Sequence, residues 1–361
     1  MTAIASSSVR KERDIAIDLA KGICIILMVA GHAMYSGGWF GYFLILFRMP
    51  CFFIASGFLF KEKNFADPKG YIRRKFKGLY WPFVFWSLLF LAFHNVFARM
   101  HLYSNYLTIN EMLMGGVRYV LTAGTEQLLG GFWFLSSLLF ATVAGYAYYK
   151  WIGFSTKALV IGIIISLALA ELMCALGINM KTIHLNSRDF TALAYIFTGT
   201  LFSRINQQHL RKYCYALVVA AIILLSLQAT FMPVGINHLR AGTVIPFYIT
   251  STTAALALIR LCYLAPHISI TKTIAKIGTR TIDVLIFHML MFKVVTIIVI
   301  AIEHLPIELL SAFPVPNLNG LWYGRWIWVV YTVVAVTLSY WIGQGIIVLK
   351  KRFHLLEKII P

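Results

Sequence analysis

The sequence predicts an all-α, polytopic transmembrane helix bundle of about ten helices. Three observations carry that expectation. Hydrophobic residues fill 60% of the 361 positions and charged residues only 12%, against about 25% charged in an ordinary soluble chain. Mean hydropathy is +0.79. Apolar runs near the length of about 20 residues that spans a hydrocarbon core recur along the whole chain, and the loops between them alternate between rich and poor in Lys and Arg.

The runs cover roughly 15–35, 39–60, 80–100, 132–150, 157–177, 190–203, 213–232, 243–264, 281–303 and 324–349. The first follows basic residues, as a signal peptide does, but it is too long, contains Lys21 and His32, and lacks a small-residue cleavage site. It is expected to be a retained helix. The second contains Pro50, which removes a backbone hydrogen bond and predicts a local kink. The third begins at Trp81-Pro82 after the basic run Lys61 to Lys77, and the fourth after Gly130-Gly131. The sixth is the shortest. No internal repeat and no low-complexity linker separates the runs.

With the N-terminus inside, the segments 1–14, 61–79, 150–157, 203–212, 260–280 and 350–361 hold 23 of the 32 Lys and Arg residues. The opposite loops hold six: Arg99, Arg118, Lys181, Arg188, Arg240 and Arg325. Lys21, Arg48 and Lys293 fall within runs. This asymmetry is the positive-inside pattern. It predicts a multi-pass protein of the inner (plasma) membrane with both termini cytosolic: a basic segment 1–14, a membrane core 15–349 and a basic tail 350–361. The net charge of +19 therefore belongs to topology and anionic membrane lipid, and no nucleic-acid partner is expected. Five cysteines, odd in number and without C-x-x-C spacing, read as packing residues; neither disulfides nor a metal site is expected.

Four polar groups stand where a membrane helix should have none: Lys21, His32, Arg48 and His288. Each costs about 2.5–3.5 kcal/mol near mid-bilayer when charged, so each needs a partner, water or a ligand. On a helix Asp18, Lys21 and His32 share nearly one face. Lys21 and Asp18 pair at i, i+3, and His32 stands about 16 Å further along, with Gly31 permitting close approach. An imidazole suits general-base work near neutral pH; the alternative is a plain interhelical hydrogen bond. Arg48 offers a rigid fork to a carboxylate, phosphate or thioester carbonyl; the alternative is an ion pair with Glu126 or Asp18. Ser56-Gly57 alone is an ordinary small-residue contact.

Together these words resemble a known family. Arg13-Asp14, Asp18, Lys21-Gly22 and Gly31-His32, then Phe47-Arg48-Met49-Pro50, Phe53 and Ser56-Gly57-Phe58, are similar to the opening signature of the acyltransferase-three family of integral-membrane O-acyltransferases. A basic residue, ten intervening residues and a His is its hallmark, here Lys21 to His32. Arg73-Arg74-Lys75 leading to Trp81-Pro82-Phe83, Gly131-Phe132-Trp133-Phe134-Leu135 and Ile286-Phe287-His288 extend the resemblance over about residues 13–290. Two positions depart from it: Lys21 where many members have Arg, and Arg48 where some sugar O-acetylases have His. No fused soluble domain is expected after the last run.

The resemblance implies transfer of an acyl group, commonly acetyl, from acyl-CoA to a hydroxyl of a cell-envelope saccharide or glycolipid, with acetyl-CoA as co-substrate and no tightly bound cofactor. His32 and Arg48 are then the expected catalytic residues, and Lys21, Asp18, Arg73, Arg74 and Lys75 the donor-binding ones. Ser56, Glu126, Trp133 and His288 are expected at the cavity or substrate. For Trp133 an aromatic-belt role stays open, and for His288 a satisfied interhelical bond. The stretch 101–131, with His101, Glu111, Arg118, Glu126 and Gln127, is expected as a long outer loop, either admitting a glycan or simply solvated. The segment 178–189, with Lys181, His184, Asn186, Arg188 and Asp189, is similarly open, and Lys293 is expected to snorkel or line the cavity. The competing class is a transporter or flippase, since intramembrane Lys, Arg and His also mark solute paths. Against it, no paired halves with corresponding broken helices are visible. The oligomeric state is left open.

Overall fold

A computed structural model describes residues 14–34, 38–205, 213–266 and 268–353; the segment 1–13 and the tail from 354 onward lie outside them. Helix α1 (Ile15–Ala33) starts where the Asp14 carboxylate accepts the N–H groups of Ala16 and Ile17 at 3.1 and 3.2 Å, an N-cap that satisfies two otherwise orphaned donors. The second run forms two helices, α2 (Gly38–Ile45) and α3 (Arg48–Phe58). The interruption falls at Leu46-Phe47, ahead of the proline rather than at it. Pro50 is the third residue of α3. There its missing N–H costs little, because the first turn of a helix has no internal partner for it.

A short basic helix, α4 (Pro68–Lys75), is capped by Asp67 and carries Pro at its first position. A π turn, Phe76–Tyr80, leads from it into α5 (Trp81–Ala92). The third run breaks at Phe93, continuing as α6 (His94–Arg99). The expected loop 101–131 instead contains α7 (Ile109–Val120), started by a capping box between Thr108 and Glu111. Its apolar face, including Ile109, Leu113 and Val117, is exposed. The chain continues with α8 (Trp133–Ile152), α9 (Thr156–Ala175), α10 (Ser187–Phe202), α11 (Cys214–Phe231) and α12 (Val244–Leu264). The segment 260–280 contains the amphipathic helix α13 (Ser269–Gly278), and Arg260, counted above with that loop, is buried within α12. Last come α14 (Thr281–Glu303) and α15 (Ile327–Arg352).

Seven helical segments among the described residues are long and apolar enough to cross a membrane: α1, the α2–α3 pair, α9, α11 with the turn after it, α12, α14 and α15. Helices also form at the other three expected positions, as α5–α6, α8 and α10. The protein is an all-α, multi-pass membrane bundle.

Backbone proximity organises its centre. α1 packs on α3, α12, α13, α14 and α15, while α10 packs on α3, α8 and α9. Gly57 and Gly199 face each other: a Cβ on either would overlap a backbone oxygen of the opposite helix. This is the close approach that small residues permit where lipid supplies no hydrophobic drive.

Candidate active site

His32 is the penultimate residue of α1, half-buried. Beside it, Arg48 opens α3 at the interruption of the second run and is 5% exposed. Its guanidinium lies against α1, with Nη1 donating to the carbonyls of Leu27 and Met28 at 3.0 and 3.4 Å. The contact exists because residue 31 is glycine: a Cβ there would overlap Nη1 of Arg48. Arg48 therefore pairs with helix carbonyls here, and neither Glu126 nor Asp18 accepts from it. Nε remains buried without a partner among the described residues.

α14 brings the third member. The His288 ring lies 5.6 Å from that of His32 between centroids, tilted by 34°. Its Nδ1 is 3.0 Å from the carbonyl oxygens of Val284 and of Leu285. Carbonyls only accept, so Nδ1 carries the proton, and the neutral ring presents its lone pair at Nε2. That Nε2 is buried and has no hydrogen-bond partner among the described residues. Gly131 makes room for α14 here: an added Cβ would collide with Leu285 and touch His288. Fifteen residues of α14, about 22 Å of helix, follow His288 and end at Glu303. The imidazole pair thus lies inside the bundle.

A cavity of about 80 Å³ is lined by His32, Arg48, Gly131 and Trp133, with Asn237 and His238 from the turn before α12. Trp133, Asn237 and His238 also line a wider pocket of about 570 Å³, whose walls include Thr122, Lys181 and Arg188. The small cavity and the wider polar pocket thus share a wall formed by Trp133, Asn237 and His238. Behind the wider pocket, Asp189 is fully buried. Its Oδ1 accepts from Ser137 Oγ and from Arg188 Nε at 3.2 Å. Its Oδ2 meets His184 Nδ1 at 2.7 Å and accepts from Asn186 Nδ2 at 2.6 Å. Arg188 in turn stacks over the Trp133 ring at 5.2 Å.

The other expected site residues fall in four places. Lys21 and Asp18 pair at 2.7 Å, eleven and fourteen residues before His32 on α1. Arg73, Arg74 and Lys75 lie on α4, which packs on α8 and the π turn. Arg73 and Arg74 are exposed, and Lys75 sits over the Tyr71 ring at 5.5 Å. Burial, with a smaller contribution from Arg74, pushes the Lys75 ammonium down to about 8. Glu126 stands apart from the cavity, buried between His94 Nδ1 at 3.1 Å and the Tyr119 hydroxyl at 3.2 Å. Ser56 donates to the Phe52 carbonyl in its own helix at 2.9 Å and does not line the cavity. Lys293 is buried, its Nζ donating to the Ala312 carbonyl at 2.6 Å, so it does not snorkel. Sequence reasoning missed Asn237 and His238, because a single polar pair in a short interhelical turn carries no spacing signal.

A multi-pass helix bundle with a basic-to-His first helix, and with a buried Arg and a second His beside that histidine, is the arrangement expected of a membrane acyltransferase, and the comparison with known families establishes that class. The acyltransferase-three family model, described as an acyltransferase domain, matches residues 14–344, and the chain belongs to that family. No curated protein and no solved structure matches it.

Proposed function

We propose that this membrane acyltransferase moves an acetyl or other short acyl group from acyl-CoA to a hydroxyl of a cell-envelope saccharide or glycolipid. One observation supports it above the others: the cavity lined by His32 and Arg48, with the His288 ring packed against His32, adjoins across Trp133, Asn237 and His238 a pocket wide enough for a sugar residue. A thioester is already activated, so the protein need only supply a base for the alcohol and stabilise developing charge.

In this reading His32 takes the proton from the acceptor hydroxyl as its oxygen attacks the thioester carbonyl carbon. Arg48 faces the negative charge that develops on the carbonyl oxygen, with Nε–H as the uncommitted donor. As the tetrahedral adduct collapses, the C–S bond breaks and the proton passes to the leaving thiolate, giving the ester and free CoA thiol. His288, its proton held on Nδ1, offers Nε2 to steady the imidazolium of His32. Lys21 and the α4 cations would meet the phosphates of the donor from the cytosol.

The test is thiol release from acetyl-CoA by purified protein in nanodiscs, with and without a crude envelope-saccharide extract. Release that rises with acceptor, together with ester formed on the saccharide, is expected. Flux of saccharide across vesicles without any thiol release would instead establish a carrier.

A further inference from the structure

The wider pocket has a charge character that acyl transfer by itself does not require. Two cations, Lys181 and Arg188, line its wall, and among the described residues no Asp or Glu does. Arg188 is built into place. Asp189 fixes it from behind through Nε, and the Trp133 ring lies beneath the guanidinium. Nη1 reaches Asn237 Oδ1 at 3.4 Å on the pocket wall. The Asp189 carboxylate is itself fully buried and accepts from or meets four side chains, Ser137, His184, Asn186 and Arg188. Arg188 offsets this carboxylate through Nε while its Nη1 reaches the pocket wall at Asn237, and Lys181 lines the same pocket. The first residues of α10 also line it, adding the positive end of a helix. An arginine whose orientation is fixed by a buried carboxylate and an aromatic face is pre-organised for a planar oxyanion, because little rotamer freedom is lost on binding.

Resting on the reading of this pocket as the acceptor site, we propose that it selects a saccharide bearing an oxyanion, a sugar carboxylate or a phosphate, near the acylated hydroxyl. Arg188 and Lys181 hold the anion. The sugar hydroxyl then enters the inner cavity past Trp133, so that charge recognition sets which ring and which hydroxyl reach His32.

Binding measured without any acyl donor tests this separately from acyl transfer. Thermal stabilisation of the nanodisc-held protein is titrated with two pairs of probes: a glucuronic-acid disaccharide and its carboxyl-reduced form, and a hexose 6-phosphate and the free hexose. The anionic member of at least one pair should bind about tenfold to a hundredfold more tightly than its neutral partner, the range expected for a charge-assisted bond. Which pair shows the preference identifies carboxylate or phosphate. Arg188→Gln should erase the preference, and Arg188→Lys should restore part of it. Equal binding of charged and neutral members overturns the proposal, as does an Arg188→Gln variant that weakens both members alike. Should that variant fail to fold, Lys181→Gln on its exposed turn carries the test, and an unchanged preference there overturns the proposal. Failure of thiol release would refute the transfer reading while leaving this binding result standing.

Discussion

At the scale of single residues the site depends on an atom that is missing. Gly31 has no Cβ, and only for that reason can Arg48 lie on the α1 carbonyls one turn before His32. Gly31→Ala should displace the guanidinium while keeping helix propensity high, since Ala is the better helix former. We expect acyl transfer to fall at least about tenfold with little loss of protein, measured as thiol release per mole of inserted enzyme. Unchanged turnover would mean that Arg48 has no part in the chemistry. The sequence made His32, Arg48 and Gly31 legible because charged and small residues in an apolar run have few other reasons to be there. It left His288 divided between two roles. Its Nδ1 bonds carbonyls of its own helix rather than a neighbouring one, and its ring packs against His32 without lining the small cavity. Ser56 and Glu126 fall away from the cavity for a shared reason: a polar residue in sequence does not reveal that its partner lies in its own helix, as Phe52 does, or on other helices, as His94 and Tyr119 do.

Individual helices show where one-dimensional pattern stops. Proline predicted a kink at residue 50, but the helix restarts just before it, where a proline in the first turn is tolerated. Helix α7 was hidden inside an expected loop, although its Thr108-to-Glu111 capping box was readable; twelve residues are simply too few to register as a span. In α4, Lys75 offers a test of the donor reading. Its ammonium titrates near 8, lowered chiefly by burial, so its charge is lost as pH rises through 8 rather than through the usual 10.4 or so. If it holds donor phosphate, the apparent KM for acetyl-CoA should rise between about pH 7 and 9 with kcat changing less. Lys75→Arg should flatten that rise. A KM independent of pH in the wild type would remove Lys75 from the donor site.

For the molecule as a whole, composition and the apolar runs were enough to give an all-α, multi-pass bundle, because the bilayer imposes one secondary structure on any spanning chain that is not a closed barrel. Which helices touch was not legible. Helices 1 and 9 of the expected order carry the two histidines, separated by 256 positions, and no periodicity joins them; the pairing rests on α14 packing against α1. The expected orientation places Lys21 and α4 at the cytosolic face, where acyl-CoA is made. Acyl transfer in this protein therefore turns on His32 as the group that moves the proton between acceptor and thiolate. The most direct measurement compares wild type with His32→Ala, matched for membrane insertion and thermal stability, for acetyl transfer from acetyl-CoA to saccharide. Loss of a general base predicts a fall of about 10²–10⁴-fold with the KM for acetyl-CoA little altered. Turnover within a factor of about three of wild type, when loss of a hydrogen bond alone costs about 1 kcal/mol of stability, would contradict it.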